Sequence, residues 1–174
     1  MKSELPVWHF WGFAFASLFG TVLHFLYDWT NGSLLIAPFS GVNESTWEHM
    51  KLLYFPLLVF SLIQSRFFSH YENFWCVKLI GLLTGLGMIP VLFYTYNGMF
   101  GKSPDWLNIM IFFISAAGTF ITEFRLFKAD RLQCRNPRLA FGTICFIGLL
   151  FVLFTFVTPQ IPLFEDPLTG EYGI

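Results

Sequence analysis

Five apolar runs, each long enough to cross a lipid bilayer, constrain the fold more than any other feature of the sequence. A helix needs about 20 mostly apolar residues to cross the hydrocarbon core. The runs cover residues 7–29, 46–66, 74–97, 106–127 and 138–158. The composition agrees, since 12% of the residues are charged, whereas soluble domains have about 25%. The sequence therefore predicts an all-α fold, a polytopic membrane helix bundle with five transmembrane helices in a single integral membrane domain over residues 1–174.

The tryptophans support these limits. All six lie near the ends of the apolar runs, as Trp8, Trp11, Trp29, Trp47, Trp75 and Trp106. Tryptophan is enriched at the level of the lipid headgroups. We therefore expect the protein to lie in the lipid bilayer of the cell membrane, with the ends of its helices near the two interfaces.

Charged residues divide unevenly between the two sides of the five-span arrangement. One side carries most of the ten Lys and Arg residues, namely Lys2, Arg66, Lys78, Arg125, Lys128, Arg131, Arg135 and Arg138. Cytoplasmic loops carry an excess of Lys and Arg. We therefore expect a multi-pass protein with a cytoplasmic N-terminus and an extracytoplasmic C-terminal tail over residues 159–174. The net charge of -1 leaves no basic face, so no nucleic-acid partner is expected.

The connection between the first two runs is also apolar. Its residues 34–39, Leu-Leu-Ile-Ala-Pro-Phe, are too hydrophobic for a solvated loop and too few to span a bilayer. We expect a short re-entrant or interfacial segment between helices 1 and 2, which is tolerated where protein covers its backbone. Such a segment would bring Asn43 beside the outer end of helix 1.

Polar and ionisable side chains are concentrated just after this segment, in residues 43–51, Asn-Glu-Ser-Thr-Trp-Glu-His-Met-Lys. His24 and Asp28, four residues apart, share a face near the end of helix 1. Carboxylates and imidazoles that converge from different elements are a common donor set for zinc, manganese or iron. We therefore predict a pocket for a cation or small polar ligand, with a divalent metal ion as candidate cofactor. The predicted pocket residues are His24, Asp28, Asn43, Glu44, Glu48 and His49, and the predicted metal ligands are His24, Asp28, Glu44 and Glu48.

A purely structural interpretation of the same stretch is also open. Ser45 and Glu48 have the spacing of a capping box at the start of helix 2, and Glu48 would pair with Lys51. Adjacent side chains point about 100° apart on a helix. Glu48 and His49 therefore cannot both face one ion without distortion.

Glu123 is an isolated acid inside the fourth apolar run. Ionisable residues at membrane depth are rare and often mark a functional site. Two roles are open: pairing with Arg125 or the cations near it, or acting as a protonatable acid on a transport path. The three cysteines, Cys76, Cys134 and Cys145, lack the close spacing of metal sites, and we interpret them as free thiols within the packing.

Three stretches carry a resemblance to a known family. They are Asn-Glu-Ser-x-Trp-Glu-His at 43–49, His-Phe-Leu-Tyr-Asp-Trp at 24–29, and Pro-Leu-Phe-Glu-Asp-Pro-Leu-Thr-Gly-Glu-Tyr-Gly at 162–173. The chain resembles, over its whole length, an uncharacterised family of small bacterial multi-spanning membrane proteins of unknown function. It is loosely similar to heptahelical membrane hydrolases that hold zinc with histidines and an acid. It has five spans, however, and lacks their paired C-terminal histidines, so that likeness is an analogy.

Three functions are consistent with these features. The first is a membrane protein whose acidic, histidine-containing extracytoplasmic pocket binds a cation or polar solute, with transport as one role. The second is an intramembrane metal-dependent hydrolase that acts on a lipid or lipid-linked substrate. The third is a structural membrane subunit whose acids form only salt bridges. Residue patterns alone leave the question of enzymatic activity open.

Overall fold

The computed structural model describes residues 4–101 and 104–174, and its regular structure is helical. Its elements are α1 (Leu5–Trp29), α2 (Thr46–Ser65), α3 (Phe74–Phe100), α4 (Asp105–Ala129), α5 (Pro137–Phe156) and a short 3-10 helix (Pro162–Phe164). In the described part of the chain, β pairing is limited to one bridge between Glu165 and Tyr172. The predicted all-α helical bundle is confirmed; of the five helices predicted to be transmembrane, four are long and apolar enough to cross a membrane, and α2 is the exception.

Four of the long helices, α1, α3, α4 and α5, are long and apolar enough to cross a membrane. Large apolar side chains such as Phe10, Val91 and Leu149 are exposed on them, as expected of a surface that contacts lipid. These features indicate a membrane protein. Helix α2 is less apolar because Glu48, His49 and Lys51 occupy its first two turns.

Helix α2 is largely enclosed by the other helices, although Val59, Leu62 and Ile63 in its second half are exposed. It contacts all four of them, while α1 packs on α4, α4 on α3, and α3 on α5. Leu53 and Tyr54 of α2 are fully buried, and the Tyr54 hydroxyl donates a hydrogen bond to the Ile144 carbonyl of α5 at 2.7 Å. The enclosure explains how α2 can carry polar side chains that a lipid-facing helix could not.

Helices α3 and α4 approach closely because two glycines of α3 face side chains of α4. A Cβ at Gly81 would overlap the Glu123 side chain, and a Cβ at Gly85 would overlap the Thr119 hydroxyl. Small residues four apart are typical of close helix contacts in membranes. The glycines therefore make the space that polar side chains of α4 occupy inside the bundle.

The connection between α1 and α2, residues 30–45, folds as consecutive turns against the end of α1. The Ser40 hydroxyl accepts a hydrogen bond from the Tyr27 amide at 2.9 Å and donates one to the Leu23 carbonyl. Ser40 is fully buried, whereas Leu35 is 83% exposed. The apolar segment thus covers the end of the bundle with its backbone tied to α1 and its leucines pointing outward.

The residues after α5 return to the same end of the bundle. The Phe164 ring packs on the Trp47 ring with 4.6 Å between centroids. The Asn43 side-chain amide donates a hydrogen bond to the Gly173 carbonyl at 3.0 Å. The C-terminal segment therefore lies beside the polar stretch at the start of α2.

The opposite end of the bundle contains a disulfide. Cys76, near the start of α3, is bonded to Cys134 in the α4–α5 connection, with 58 residues between them in sequence and 5.9 Å between their Cα atoms. The interpretation of these two cysteines as free thiols is wrong, because the α3–α4 hairpin brings together positions that are distant in sequence. Cys145 is a free, exposed thiol.

Candidate metal site

His24, Glu44 and His49, hereafter the His–Glu–His cluster, lie together at the end of the bundle covered by the α1–α2 connection. Each offers one ligand atom, and the three atoms lie within 4.8 Å of one another. Glu44 stands between the two histidines. Its Oε1 is 3.6 Å from His24 Nε2, and its Oε2 is 3.5 Å from His49 Nε2.

Three chain segments position these side chains. His24 lies near the end of α1, Glu44 lies just before α2, and His49 lies in the first turn of α2. Ser45 caps α2 by accepting a hydrogen bond from the Glu48 amide at 3.3 Å, while the Ser45 amide donates to Asn43 Oδ1 at 2.9 Å. These bonds hold the backbone on both sides of Glu44 and direct its carboxylate toward the end of α1.

Hydrogen bonding determines the tautomer of His49. Its Nδ1 lies 2.9 Å from the Ser45 carbonyl, which can only accept a hydrogen bond, so Nδ1 carries the proton in the neutral ring. The Nε2 lone pair then faces the Glu44 carboxylate. Two acceptors at this distance repel unless a cation or a proton lies between them. The arrangement of a histidine whose second nitrogen is fixed by a carbonyl is typical of metal ligands.

The His–Glu–His cluster is accessible. The side chains of His24, His49 and Glu44 are 29%, 17% and 39% exposed. A cavity of about 130 Å³ borders both histidines and is otherwise lined mainly by apolar residues, namely Gly20, Thr21, Phe25, Leu52, Ile109, Phe112 and Phe113. A ligand can therefore reach the cluster next to a largely apolar surface.

The structure places the other predicted ligands elsewhere. Asp28 is exposed at the end of α1, and Asn43 caps the turn before α2 and binds the C-terminal segment. Glu48 points into the bundle, about 100° around α2 from His49, as adjacent helical positions must. Of the four predicted metal ligands, the structure thus brings together His24 and Glu44, and His49 is the third member of the group.

Glu48 forms a buried ion pair with Lys51. Glu48 Oε2 lies 2.6 Å from Lys51 Nζ and also accepts a hydrogen bond from the Val42 amide at 3.0 Å. Lys51 Nζ donates to the Ala37 carbonyl at 2.8 Å and to the Thr155 hydroxyl at 3.1 Å. The predicted pairing of Glu48 with Lys51 is observed, but Glu48 binds Val42 rather than completing the capping box with Ser45.

A second group of buried charges was not anticipated. Lys78 of α3 and Glu123 of α4 form an ion pair at 2.6 Å, and His9 Nε2 of α1 lies 3.9 Å from the same Glu123 oxygen. Of the two roles left open for Glu123, pairing with a cation is observed, but the cation is Lys78 rather than Arg125, because the α3–α4 hairpin places Lys78 opposite Glu123. The position of Lys78 inside the apolar run 74–97 was a signal in the sequence that this lysine is unusual, although the sequence does not identify its partner.

Comparison with known proteins agrees with the resemblance seen in the sequence. No curated protein and no solved structure shows significant similarity to the chain. One family model, described as a family of unknown function, matches residues 1–174. The match covers the whole chain, so the expected membership of an uncharacterised family is confirmed: the protein belongs to DUF6512, a family of unknown function.

Proposed function

We propose that the protein is a multi-pass membrane protein that binds a divalent transition-metal cation at the His–Glu–His cluster and moves it across the bilayer. The observation that carries this proposal is the convergence of three ligand atoms within 4.8 Å of one another. Ligand atoms around a tetrahedral zinc ion, at about 2.1 Å from the metal, lie about 3.4 Å apart. The nitrogens of His24 and His49 lie 3.6 and 3.5 Å from the two different oxygens of Glu44, so binding through one oxygen would need a small rotation of the carboxylate.

The donor set favours zinc or a similar transition metal. Two imidazoles and one carboxylate suit zinc, iron or manganese, whereas calcium and magnesium prefer oxygen ligands alone. Three protein ligands leave one position of a tetrahedral ion open, unlike the closed set of a structural zinc site. An open position and partly exposed ligands suit a cation that must be bound and released.

The basic residues support a cytoplasmic N-terminus and an extracytoplasmic C-terminus. In this orientation the His–Glu–His cluster lies at the extracytoplasmic end of the bundle, because His24 is near the end of α1. The acidic residues at this end, including Glu165 and Asp166 of the C-terminal segment, would attract cations toward the cluster.

A binding experiment on purified full-length protein tests the proposal. Zinc affinity is measured by competition with a chromophoric chelator for the wild type and for His24→Gln, Glu44→Gln and His49→Gln. Loss of a supporting hydrogen bond to a metal ligand costs about 10–100-fold in affinity, so loss of a ligand should cost at least about tenfold. Asp28→Asn is the matched control, because Asp28 is an exposed acid near the cluster but outside it.

Two outcomes would contradict the proposal. One is a wild-type affinity equal to that of the three ligand variants. The other is a loss in Asp28→Asn as large as the loss in Glu44→Gln. Movement across the bilayer is then measured with proteoliposomes that enclose a zinc-sensitive dye, and His49→Gln should abolish the zinc entry seen with the wild type.

The cavity beside the histidines favours a second candidate function, a metal-dependent hydrolase for a lipid or lipid-linked substrate. Its largely apolar lining would accept an apolar chain, and a metal ion lowers the pKa of bound water to create a nucleophile. Glu44, however, lies within reach of both histidines, so it would act as a ligand rather than as a free base. Release of lipid products by zinc-loaded protein, absent in His49→Gln, would support the hydrolase instead.

A further inference from the structure

We propose that His9, Lys78 and Glu123, hereafter the Lys78 group, form a proton-binding site for proton-coupled cation movement. The group takes one residue each from α1, α3 and α4, and these residues are 5%, 1% and 1% exposed. Since His9 precedes His24 by 15 positions on α1, the group lies about 22 Å from the His–Glu–His cluster along the helix. The coupling rests on the function proposed above, whereas the binding of the proton does not.

The hydrogen bonding of His9 leaves its Nε2 atom unprotonated and able to bind a proton. His9 Nδ1 lies 2.7 Å from the Leu5 carbonyl, which only accepts, so Nδ1 carries the proton of the neutral ring. His9 Nε2 is buried and has no hydrogen-bond partner among the described residues. It faces Glu123 Oε2 at 3.9 Å. A lone pair and a carboxylate oxygen therefore face each other in the bundle, and one added proton would convert this repulsion into attraction.

The surroundings of Glu123 leave it able to accept a second positive charge. Within the described residues, its only cationic hydrogen-bond partner is Lys78. Lys78 in turn has no other hydrogen-bond acceptor there, and its ammonium lies 5.7 to 5.8 Å from the ring centroids of Phe60, Phe74 and Phe120. The charged or titratable groups that meet at this carboxylate are thus His9 of α1 and Lys78 of α3, and α2 contributes the Phe60 ring over Lys78.

The proposed step is a simple proton transfer. A hydronium ion gives its proton to His9 Nε2, an N–H bond forms, and water is released. The neutral histidine beside a Lys–Glu pair becomes an imidazolium that shares the Glu123 carboxylate with Lys78. The reverse step returns the proton to water, and no oxidant or reductant is involved.

A cleft and two buried hydroxyl side chains lie next to the Lys78 group. A cleft of about 320 Å³ between α1 and α4 begins at Pro6, close to the N-terminal end of α1, and borders His9, whose surroundings in the cleft are otherwise apolar. On α4, Thr119 and Ser115 continue the face of Glu123 at four-residue spacing, both fully buried, and the Ser115 hydroxyl has no partner in the described residues. This face leads along the bundle toward the end that holds the His–Glu–His cluster.

Nuclear magnetic resonance of full-length protein with 15N-labelled histidine tests proton binding directly, and His9→Gln identifies the His9 signal. We expect His9 to take up a proton as the pH is lowered below about 6.5, the ordinary pKa of histidine. Lys78→Met removes a competing cation and should raise the midpoint by at least about one pH unit, and Glu123→Gln should lower it. Should Glu123→Gln fail to fold, the shift in Lys78→Met decides.

Proteoliposomes test the coupling to cation movement. A pH gradient should change the rate of zinc entry through the wild type by about fivefold or more, the usual scale of coupling between sites. His9→Gln should lose this dependence while its equilibrium affinity for zinc stays unchanged, because His9 is far from the His–Glu–His cluster. His9→Asn is the second variant, because the Asn amide nitrogen corresponds in position to His9 Nδ1 and can donate to the Leu5 carbonyl. The same loss of dependence in a folded His9→Asn separates the effect from misfolding.

The outcomes distinguish this inference from the proposed function. A His9 signal that stays neutral down to the lowest pH at which the protein remains folded, or that titrates identically in Lys78→Met, overturns the proton site. Gradient-dependent zinc entry that persists in His9→Gln overturns the coupling. Absence of zinc entry in the wild type contradicts the proposed transport, and the proton site is then decided by the magnetic resonance titration alone.

Discussion

Two buried Lys–Glu pairs of identical length lie in different parts of the bundle and have very different surroundings. Lys51 and Glu48 are 2.6 Å apart, as are Lys78 and Glu123. Lys51 has three acceptors and Glu48 also accepts a backbone amide. Lys78 has one acceptor in the described residues, Glu123. Three aromatic rings lie near its ammonium group, and His9 lies near the same Glu123 carboxylate.

Unused hydrogen-bonding capacity distinguishes an ion pair that can change its charge from a structural ion pair. A buried charge whose hydrogen-bonding capacity is satisfied gains nothing from a further proton, and removing its partner is costly. A pair with unused capacity can admit another charged group. On this criterion the Glu48–Lys51 pair fastens the α1–α2 connection and α5 to α2, whereas the Lys78 group is able to respond to its environment.

The largest expected effect comes from removing the lysine of the satisfied pair. Lys51→Met leaves a buried carboxylate without its cation and deprives Ala37 and Thr155 of their donor, so we expect the free energy of unfolding to fall by about 3–5 kcal/mol. Lys78→Met is the matched change, and it should cost clearly less because a protonated His9 beside Glu123 can replace the lost charge, whereas no histidine forms an ion pair with Glu48 among the described residues. Denaturation of both variants in detergent, followed by circular dichroism, measures the difference. Equal losses would remove the distinction between the two pairs.

An intermediate effect is expected from neutralising Glu48. In Glu48→Gln the Lys51 ammonium keeps the Ala37 carbonyl and the Thr155 hydroxyl, so the loss should be about 1.5–3 kcal/mol, the scale of a hydrogen bond to a charged group. Zinc affinity should not change, because Glu48 points away from the His–Glu–His cluster. Glu44→Gln should show the reverse pattern, with weak zinc binding and nearly normal stability. A fall in zinc affinity for Glu48→Gln would show that Glu48 is a metal ligand.

The smallest effect concerns the space around Glu123. A Cβ at Gly81 would overlap the Glu123 side chain, whereas a Cβ at Gly87, on the same helix, meets nothing within 4 Å. Overpacking costs about 1–3 kcal/mol, and alanine returns up to about 1 kcal/mol of helix propensity, so Gly81→Ala should be modestly destabilised and Gly87→Ala neutral or stabilised. Thermal unfolding of the two variants provides the measurement. Equal melting temperatures would show that Glu123 can move away from α3.

The sequence predicted the helices well because long apolar runs need no tertiary information. The site was harder to predict, since it depends on where α2 begins. Glu44 and Glu48 were both predicted as metal ligands, but α2 starts at Thr46, so Glu44 lies outside the helix and its carboxylate is free to turn toward His24. Glu48 lies inside the helix and points into the bundle.

The pairing of Lys78 with Glu123 could not be predicted for a different reason. It depends on the register between α3 and α4, which hydropathy leaves undetermined because an apolar helix can slide past its neighbour by a turn with little change in pattern. Gly81 and Gly85 fix that register through close contact, but recognising them requires knowing which face of α4 they meet.

The disulfide at the far end of the bundle bears on which way the protein faces in the membrane. Cys76 and Cys134 lie at the end that carries most of the basic residues, which is the end that the proposed orientation places in the cytoplasm. Cytosolic thiols are kept reduced by glutathione and thioredoxin, whereas disulfides persist in oxidising compartments. If the bundle faces as proposed, the two cysteines would be reduced thiols in a resting cell and would form the disulfide only under oxidative stress. If the bundle faces the other way, the disulfide would be permanent. The redox state of the two cysteines in cells would therefore report which compartment this end of the bundle faces, without a reporter fused to the chain.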